Sequence, residues 1–85
     1  MEDYVDSNSW YYVDRGTDRF FFKNTEDAID DFTRAIELET NNPLAYYMRG
    51  LAYLDNGKKK DARADFAMAL NLGMKTAQGF LDHSL

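Results

Sequence analysis

The side chains that most often carry out catalysis are few in this 85-residue chain, and they form no recognisable catalytic set. His83 is the only histidine, and its neighbours lack the arrangement of a Ser-His-Asp triad. The absence of cysteine removes thiolate chemistry, disulfides and the usual structural zinc sites, and it fits a reducing compartment. We therefore predict that the protein is not an enzyme.

The densest acidic group consists of Asp27, Asp30 and Asp31. A metal ion needs several ligands that converge on one point, whereas carboxylates near the start of a helix are favoured by the helix dipole. We interpret the three aspartates as part of a helix start and predict no metal site. The five glycines are isolated in the sequence, so we predict no Gly-rich phosphate loop and no cofactor.

Arginine and aspartate recur with a common period of 34 residues, which separates Arg15 from Arg49 and Asp31 from Asp65. Matched opposite charges predict ion pairs. The pairs can form within one copy of the period, joining Arg15 to Asp31 and Arg49 to Asp65. They can also form between copies, joining Asp31 to Arg49 and Asp65 to His83, and the sequence leaves both arrangements open. An arginine that grips a carboxylate ligand is the less favoured interpretation.

The overall charge argues against nucleic-acid and membrane partners. The formal net charge is -5 and the pI is near 4.6, so the chain repels phosphate backbones and anionic lipids. The one basic run, Lys58 to Lys60, is short and is interpreted as a solvated turn. No apolar run approaches the roughly 18 residues of a membrane span, and the acidic start lacks the basic region of a signal peptide. We predict a cytoplasmic protein.

The same period extends well beyond the charged residues. Between residues 9–42 and 43–76, nine identical pairs share it without a gap: Tyr12 and Tyr46, Arg15 and Arg49, Gly16 and Gly50, Asp27 and Asp61, Ala28 and Ala62, Asp31 and Asp65, Phe32 and Phe66, Ala35 and Ala69, and Leu38 and Leu72. In each copy the first alanine, the phenylalanine and the second alanine follow at steps of four and three, which places them on one helix face. Small residues let two helices approach closely, and the aromatic ring fills the space between them. The period therefore predicts tight antiparallel helix pairs.

Turn and capping residues set the helix boundaries. Asn42 and Pro43 predict a helix start, and Asn56-Gly57 predicts its end. Thr25 predicts an N-cap before an acidic first turn, and Gly73 predicts another helix end. The predicted helices cover residues 9–22, 25–39, 43–55, 59–72 and 75 to the end. With a single proline and few β-branched residues, the chain is predicted to be all-α.

The second copy resembles the tetratricopeptide repeat family, whose 34-residue motif has an aromatic residue, Gly and Tyr in one helix and Ala, Phe and Ala in the next. The matching residues are Tyr46, Gly50, Tyr53, Ala62, Phe66 and Ala69. The first copy keeps Tyr12, Gly16, Ala28, Phe32 and Ala35. It has Asp18 and Arg19 where the second copy has Ala52 and Tyr53, which suits an end repeat whose outer face contacts water.

This resemblance covers residues 9–85 and implies a fragment of an α-solenoid with about five helices. We expect an acidic, flexible leader over residues 1–8 and a single domain over residues 9–85. The domain comprises repeat one (9–42), repeat two (43–76) and a capping helix (75–85) that resembles the opening helix of a third repeat.

The resemblance also implies a concave groove, lined by the first helix of each repeat, in which a partner protein binds. The predicted groove residues are Trp10, Val13, Thr17, Phe20, Leu44, Tyr47, Leu51, Leu54 and Leu81, with Phe21 and Gln78 on the same faces. Because an exposed apolar surface of this extent usually marks an interaction site, we predict a scaffold that binds a peptide or helix. For Phe20, Phe21 and Leu54, completion of a small core is an equal alternative.

Chaperone-binding members of the family grip a C-terminal carboxylate with Lys, Asn and Arg. The corresponding positions here are Val13, Thr17, Met48, Gln78 and Asp82, and none is cationic. We therefore predict that the chain does not bind the acidic C-terminal tails of chaperones.

Self-assembly is the alternative function. Two repeats and a capping helix are fewer than the three repeats that a stable solenoid usually needs. A homodimer through the apolar faces, or an exchanged terminal helix, would relieve that deficit. A fragment of a larger repeat array is a third interpretation.

Overall fold

The computed structural model describes residues 8–82, which form five helices and no strand. The helices are α1 (Ser9–Phe21), α2 (Thr25–Leu38), α3 (Pro43–Asp55), α4 (Lys59–Asn71) and α5 (Ala77–Asp82). The predicted all-α class is confirmed. Helices α1 to α4 begin and end within one residue of their predicted bounds, whereas α5 begins at Ala77 and not at residue 75. Residues 1–7 and 83–85 lie outside the described part, and with them lie most of the predicted leader and the predicted His83 partner of Asp65.

Asparagine caps the first helix of each repeat. The side chain of Asn42 accepts a hydrogen bond from the backbone N–H of Leu44 at 3.1 Å, and Pro43 takes the first helical position, as predicted. Asn8 lies one period earlier in the chain, and its side chain accepts from the N–H of Trp10 at 2.9 Å. A cap of this kind stabilises a helix by about 1 kcal/mol. Asn8 therefore belongs to the repeat and not to the leader.

The predicted N-cap at Thr25 is wrong. Asn24 takes that position, and its side chain makes no capping hydrogen bond. Thr25 is the first helical residue, and its hydroxyl donates to the carboxylate of Asp55 in α3 at 3.0 Å. A charged acceptor makes the stronger hydrogen bond. Glu26 and Asp27 in the first turn stabilise the start of α2 through the helix dipole.

Three turns end helices with a residue in the left-handed backbone region. Lys23, Gly57 and Gly73 have φ angles of 67°, 77° and 106°. In each case the N–H of the next residue donates to the carbonyl five residues before it, at 2.8 or 2.9 Å. The helix ends predicted at Gly57 and Gly73 are confirmed. Because these turns are short, successive helices fold back on one another.

Two glycines allow the helices of each repeat to approach closely. A Cβ atom on Gly16 would lie 2.7 Å from the ring of Phe32, and a Cβ atom on Gly50 would lie 2.8 Å from the ring of Phe66. Both rings are fully buried. A larger residue at either position would therefore push α1 from α2, or α3 from α4.

The core runs along the stack as three apolar clusters. Val13, Ala35 and Ala45 form the first, Ala28, Phe32, Met48 and Ala52 the second, and Tyr46, Ala62, Phe66, Ala69 and Ala77 the third. Helix α2 packs against α1 and α3, and α4 packs against α3 and α5. No helix within residues 8–82 has the length and apolar content needed to cross a membrane.

Candidate partner-binding surface

The predicted groove residues lie on α1, α3 and α5. Helices α1 and α3 are in direct contact, and the ring of Tyr47 in α3 lies 5.9 Å from that of Phe80 in α5. The first helices of the repeats and the capping helix are thus brought side by side. Eight of the nine predicted groove residues retain accessible surface. We call them the groove face: Trp10, Thr17, Phe20, Leu44, Tyr47, Leu51, Leu54 and Leu81.

Val13 is the ninth predicted groove residue, and its assignment is wrong. Its side chain is only 2% exposed and packs in the core with Ala35 and Ala45. Helix α1 turns Val13 towards α2 and α3, because this position faces the junction of the three helices. Val13 therefore stabilises the fold and presents no surface to a partner.

Three residues of α3 form the centre of the groove face and are anchored in the core at the same time. Leu44, Tyr47 and Leu51 are half-buried, and each packs against the core cluster that contains Phe32. The ring of Tyr47 also meets that of Phe66 edge-on, with centroids 5.9 Å apart. Their inner surfaces complete the core while their outer surfaces stay accessible, so these side chains are held rigidly.

Phe20, Leu54 and Leu81 are the outer members of the groove face and are also half-buried. Phe20 packs against the cluster around Phe32, and Leu54 and Leu81 pack against the cluster around Phe66. Core packing and surface exposure therefore coexist at Phe20 and Leu54, two of the residues for which the sequence left both roles open.

Trp10 is the most accessible large side chain of the groove face. Its indole is 48% exposed and lies outside all three core clusters. Thr17, further along α1, has a satisfied hydroxyl, which donates to the carbonyl of Val13 at 2.7 Å. At the other end of α1, Phe21 and Phe22 are 69% and 83% exposed. Helix α1 thus carries exposed aromatic side chains at both ends.

The arginine–aspartate pairs form within each repeat. Arg15 donates to both carboxylate oxygens of Asp31, at 3.1 and 2.8 Å, and Arg49 donates to both oxygens of Asp65, at 2.7 and 2.9 Å. The hydrogen bond to the aspartate raises the pKa of each guanidinium above its ordinary value. Both arginines therefore stay charged throughout the physiological pH range.

Each pair has further polar partners, and they differ between the repeats: in repeat one, Arg15 also donates to the hydroxyl of Tyr11 at 3.3 Å. Arg19 also donates to Asp31, at 3.1 Å, at the position where repeat two has Tyr53. Arg49 also donates to the hydroxyl of Thr33 in α2, at 3.1 Å, and so ties repeat two to repeat one. These arginines serve packing between helices and leave no guanidinium directed into the groove.

The five positions that correspond to a carboxylate clamp are not equivalent in the structure. Val13 and Met48 are buried, Thr17 is half-buried, and Gln78 and Asp82 are exposed. The amide of Gln78 donates to the carboxylate of Asp82 at 2.8 Å. The accessible clamp positions therefore present a hydroxyl, an amide and a carboxylate.

The predicted acidic group at the start of α2 is divided between two environments. Asp31 is buried against its arginines, whereas Asp27 and Asp30 are not buried. Within residues 8–82 no three acidic or histidine side chains come close enough to hold a metal ion. A cleft of about 310 Å³ lies beside this region, lined by Glu26, Ile29, Asp30, Tyr53, Asn56 and Lys58.

Comparison with known proteins identifies the repeat independently. A family model described as a TPR repeat matches residues 23–57, which contain α2 and α3. The DnaJ homolog subfamily C member 7 of Mus musculus is 32% identical to this chain over 62 residues, and that of Homo sapiens is 31% identical over 62 residues. The aligned part covers 73% of this chain, and the chain spans 13% of the length of each relative.

Proposed function

The chain belongs to the tetratricopeptide repeat family, and from that premise we propose that it is a scaffold that binds a peptide or helix of a partner protein on the groove face. Tetratricopeptide repeats generally mediate contacts between proteins. The proposal includes a cytoplasmic location and no enzymatic role. It does not include the acidic C-terminal tails of chaperones, because the accessible clamp positions offer no cation.

The exposed indole of Trp10, beside a row of core-anchored apolar side chains, is the observation that carries the proposal. Trp and Tyr are enriched among the residues that contribute most to protein–protein binding. Leu44, Tyr47 and Leu51 are held by the core, so they lose little conformational freedom when a partner binds. The groove face thus combines an accessible aromatic anchor with a rigid apolar floor.

Photocrosslinking tests the proposal. A photoreactive residue is introduced at Trp10, and in a second variant at Met68, which is 40% exposed on α4, away from the groove face. We expect the variant labelled at position 10 to crosslink to a partner protein and the variant labelled at position 68 not to do so. Excess unlabelled chain is expected to compete for the partner and reduce the crosslinking. Equal crosslinking from both positions would argue against a groove-directed scaffold.

Self-association is the second candidate, and the exposed aromatics of α1 and its C-cap favour it. Trp10, Phe21 and Phe22 leave apolar surface that a second copy would cover. Exchange of α5 between copies would preserve its packing on α4, because the exchanged helix makes the same contacts. Sedimentation over a wide concentration range distinguishes the candidates, since a scaffold that binds another protein remains monomeric near 9.9 kDa.

A further inference from the structure

The helices that carry the groove face have exposed carboxylates and ion-paired arginines. We propose that the groove face receives a cationic segment of a partner protein, in which lysine or arginine alternates with apolar anchors. This inference rests on the proposed function and adds the chemistry of the partner to it.

The cations of the helices that carry the groove face all point away from it. Within α1, α3 and α5 the only Lys or Arg residues are Arg15, Arg19 and Arg49. The first two donate to Asp31, and Arg49 donates to Asp65 and Thr33. The bonds direct these guanidinium groups towards α2 and α4. The positive charge of these helices is thus paired with aspartates of α2 and α4.

Four exposed carboxylates lie on the same helices, and three of them, Asp14, Asp55 and Asp82, lie next to groove residues in the sequence or on a helix face. Asp14 follows Trp10 by four residues and Asp55 follows Leu51 by four residues, so each shares a helix face with a groove residue. The carboxylate of Asp55 also accepts the hydrogen bond from Thr25 of α2, and its remaining lone pairs can accept from a partner. Asp82 follows Leu81 directly and occupies the repeat position of Asp14, two periods later. None of the three pairs with a cation among residues 8–82.

This distribution favours a cationic partner over a second copy of the chain. A symmetric dimer through the groove face would bring the carboxylates of Asp14, Asp55 and Asp82 near those of the other copy, and like charges at an interface oppose association. A segment with lysine or arginine beside its apolar residues would instead pair with them. Its apolar residues would cover Trp10 and Leu51 at the same time.

A displayed library of random 16-residue peptides, selected on the full chain, tests the inference. We expect the enriched peptides to carry net positive charge together with aromatic or aliphatic residues. Neutralising the triad, as Asp14→Asn, Asp55→Asn and Asp82→Asn together, is expected to weaken their binding by about tenfold. The control variant, Asp27→Asn with Asp30→Asn and Asp61→Asn, changes net charge equally on α2 and α4 and is expected to weaken binding much less.

The outcomes separate this inference from the proposed function. If the enriched peptides are neutral or acidic but lose binding when Trp10→Ala is introduced, the inference of a cationic partner would be overturned. The proposal that the groove face binds a partner would stand. If the variant of Asp14, Asp55 and Asp82 and the control variant lose equal binding affinity, the inference would also be overturned, because binding would then depend only on the net charge of the chain. If the selection enriches no peptide, or if Trp10→Ala does not change the binding of the enriched peptides, the proposal that the groove face binds a partner would be contradicted as well. Thermal melts of each variant check that it is folded.

Discussion

Lys23 and Gly57 occupy the same position of the repeat and share a left-handed backbone, with φ angles of 67° and 77°. Each ends the first helix of its repeat, and the following N–H closes the turn at 2.8 Å. The shared geometry shows that the repeat imposes this conformation regardless of the side chain. A residue other than glycine is strained there, at a cost of about 1 kcal/mol.

Replacing Lys23 by glycine is therefore expected to stabilise the chain by about 0.5–1 kcal/mol. The reciprocal variant, Gly57→Lys, is expected to destabilise it by a similar amount. Urea unfolding followed by circular dichroism measures both. A loss of stability in Lys23→Gly would show that contacts of the lysine side chain outweigh backbone strain.

The close approach of α3 and α4 predicts that Gly50→Ala is destabilising. The new Cβ would lie 2.8 Å from the buried ring of Phe66, and we expect a net loss of about 1–2 kcal/mol after the gain in helix propensity. Gly79→Ala is the control, since a Cβ there meets nothing within 4 Å. That change is expected to be neutral or mildly stabilising. Similar effects at the two glycines would refute tight packing at Gly50.

The two ion pairs are expected to differ in their contribution to stability. Asp65→Ala leaves Arg49, whose side chain is 18% exposed, without its carboxylate. Asp31→Ala leaves Arg15 and Arg19 without theirs, but these side chains are 40% and 36% exposed and can turn to water. We expect losses of about 3 kcal/mol for Asp65→Ala and about 1–2 kcal/mol for Asp31→Ala. Chemical denaturation of the two variants measures the difference. The reverse order would contradict this ranking by exposure.

The capping helix is expected to stabilise repeat two through Phe80. Its ring stacks on that of Phe66, with centroids 4.6 Å apart and an interplanar angle of 10°. Phe80→Ala is expected to lower the free energy of unfolding by about 2–3 kcal/mol, since the side chain is only partly buried. Phe22→Ala, which removes an 83% exposed ring, serves as the control and is expected to cost less than about 0.5 kcal/mol. A small effect of Phe80→Ala would mean that α5 adds little to the core.

The repeat period made the fold predictable, because small residues, aromatics and turn residues recur at positions that the helix pairs require. Gly16, Gly50 and the Asn42-Pro43 start are examples in which local chemistry and tertiary packing agree. The N-cap role of Asn8 could also have been predicted, since Asn8 and Asn42 are separated by the same period. At Thr25 the prediction failed because Asn24 is the N-cap and Thr25 is the first helical residue, where its hydroxyl donates to Asp55 of α3.

The site was less predictable, because burial depends on how three helices meet. Helical spacing placed Val13 with Trp10 on one face, but only the junction of α1, α2 and α3 decides that Val13 is buried and Trp10 exposed. The choice between ion pairs within and between repeats was open for the same reason. Spacing alone does not give the distance from Arg49 to Asp31 or to Asp65.

The exposure of the single tryptophan tests the groove most directly. In the free chain, Trp10 is expected to show the red-shifted, quencher-accessible fluorescence of an exposed indole, and the emission is not expected to change with protein concentration. Addition of a crosslinked partner, or of a peptide selected on the chain, is expected to shift the emission to the blue and protect it from acrylamide. Emission that is already blue-shifted and protected in the free chain, together with a sedimenting dimer, would contradict a free groove.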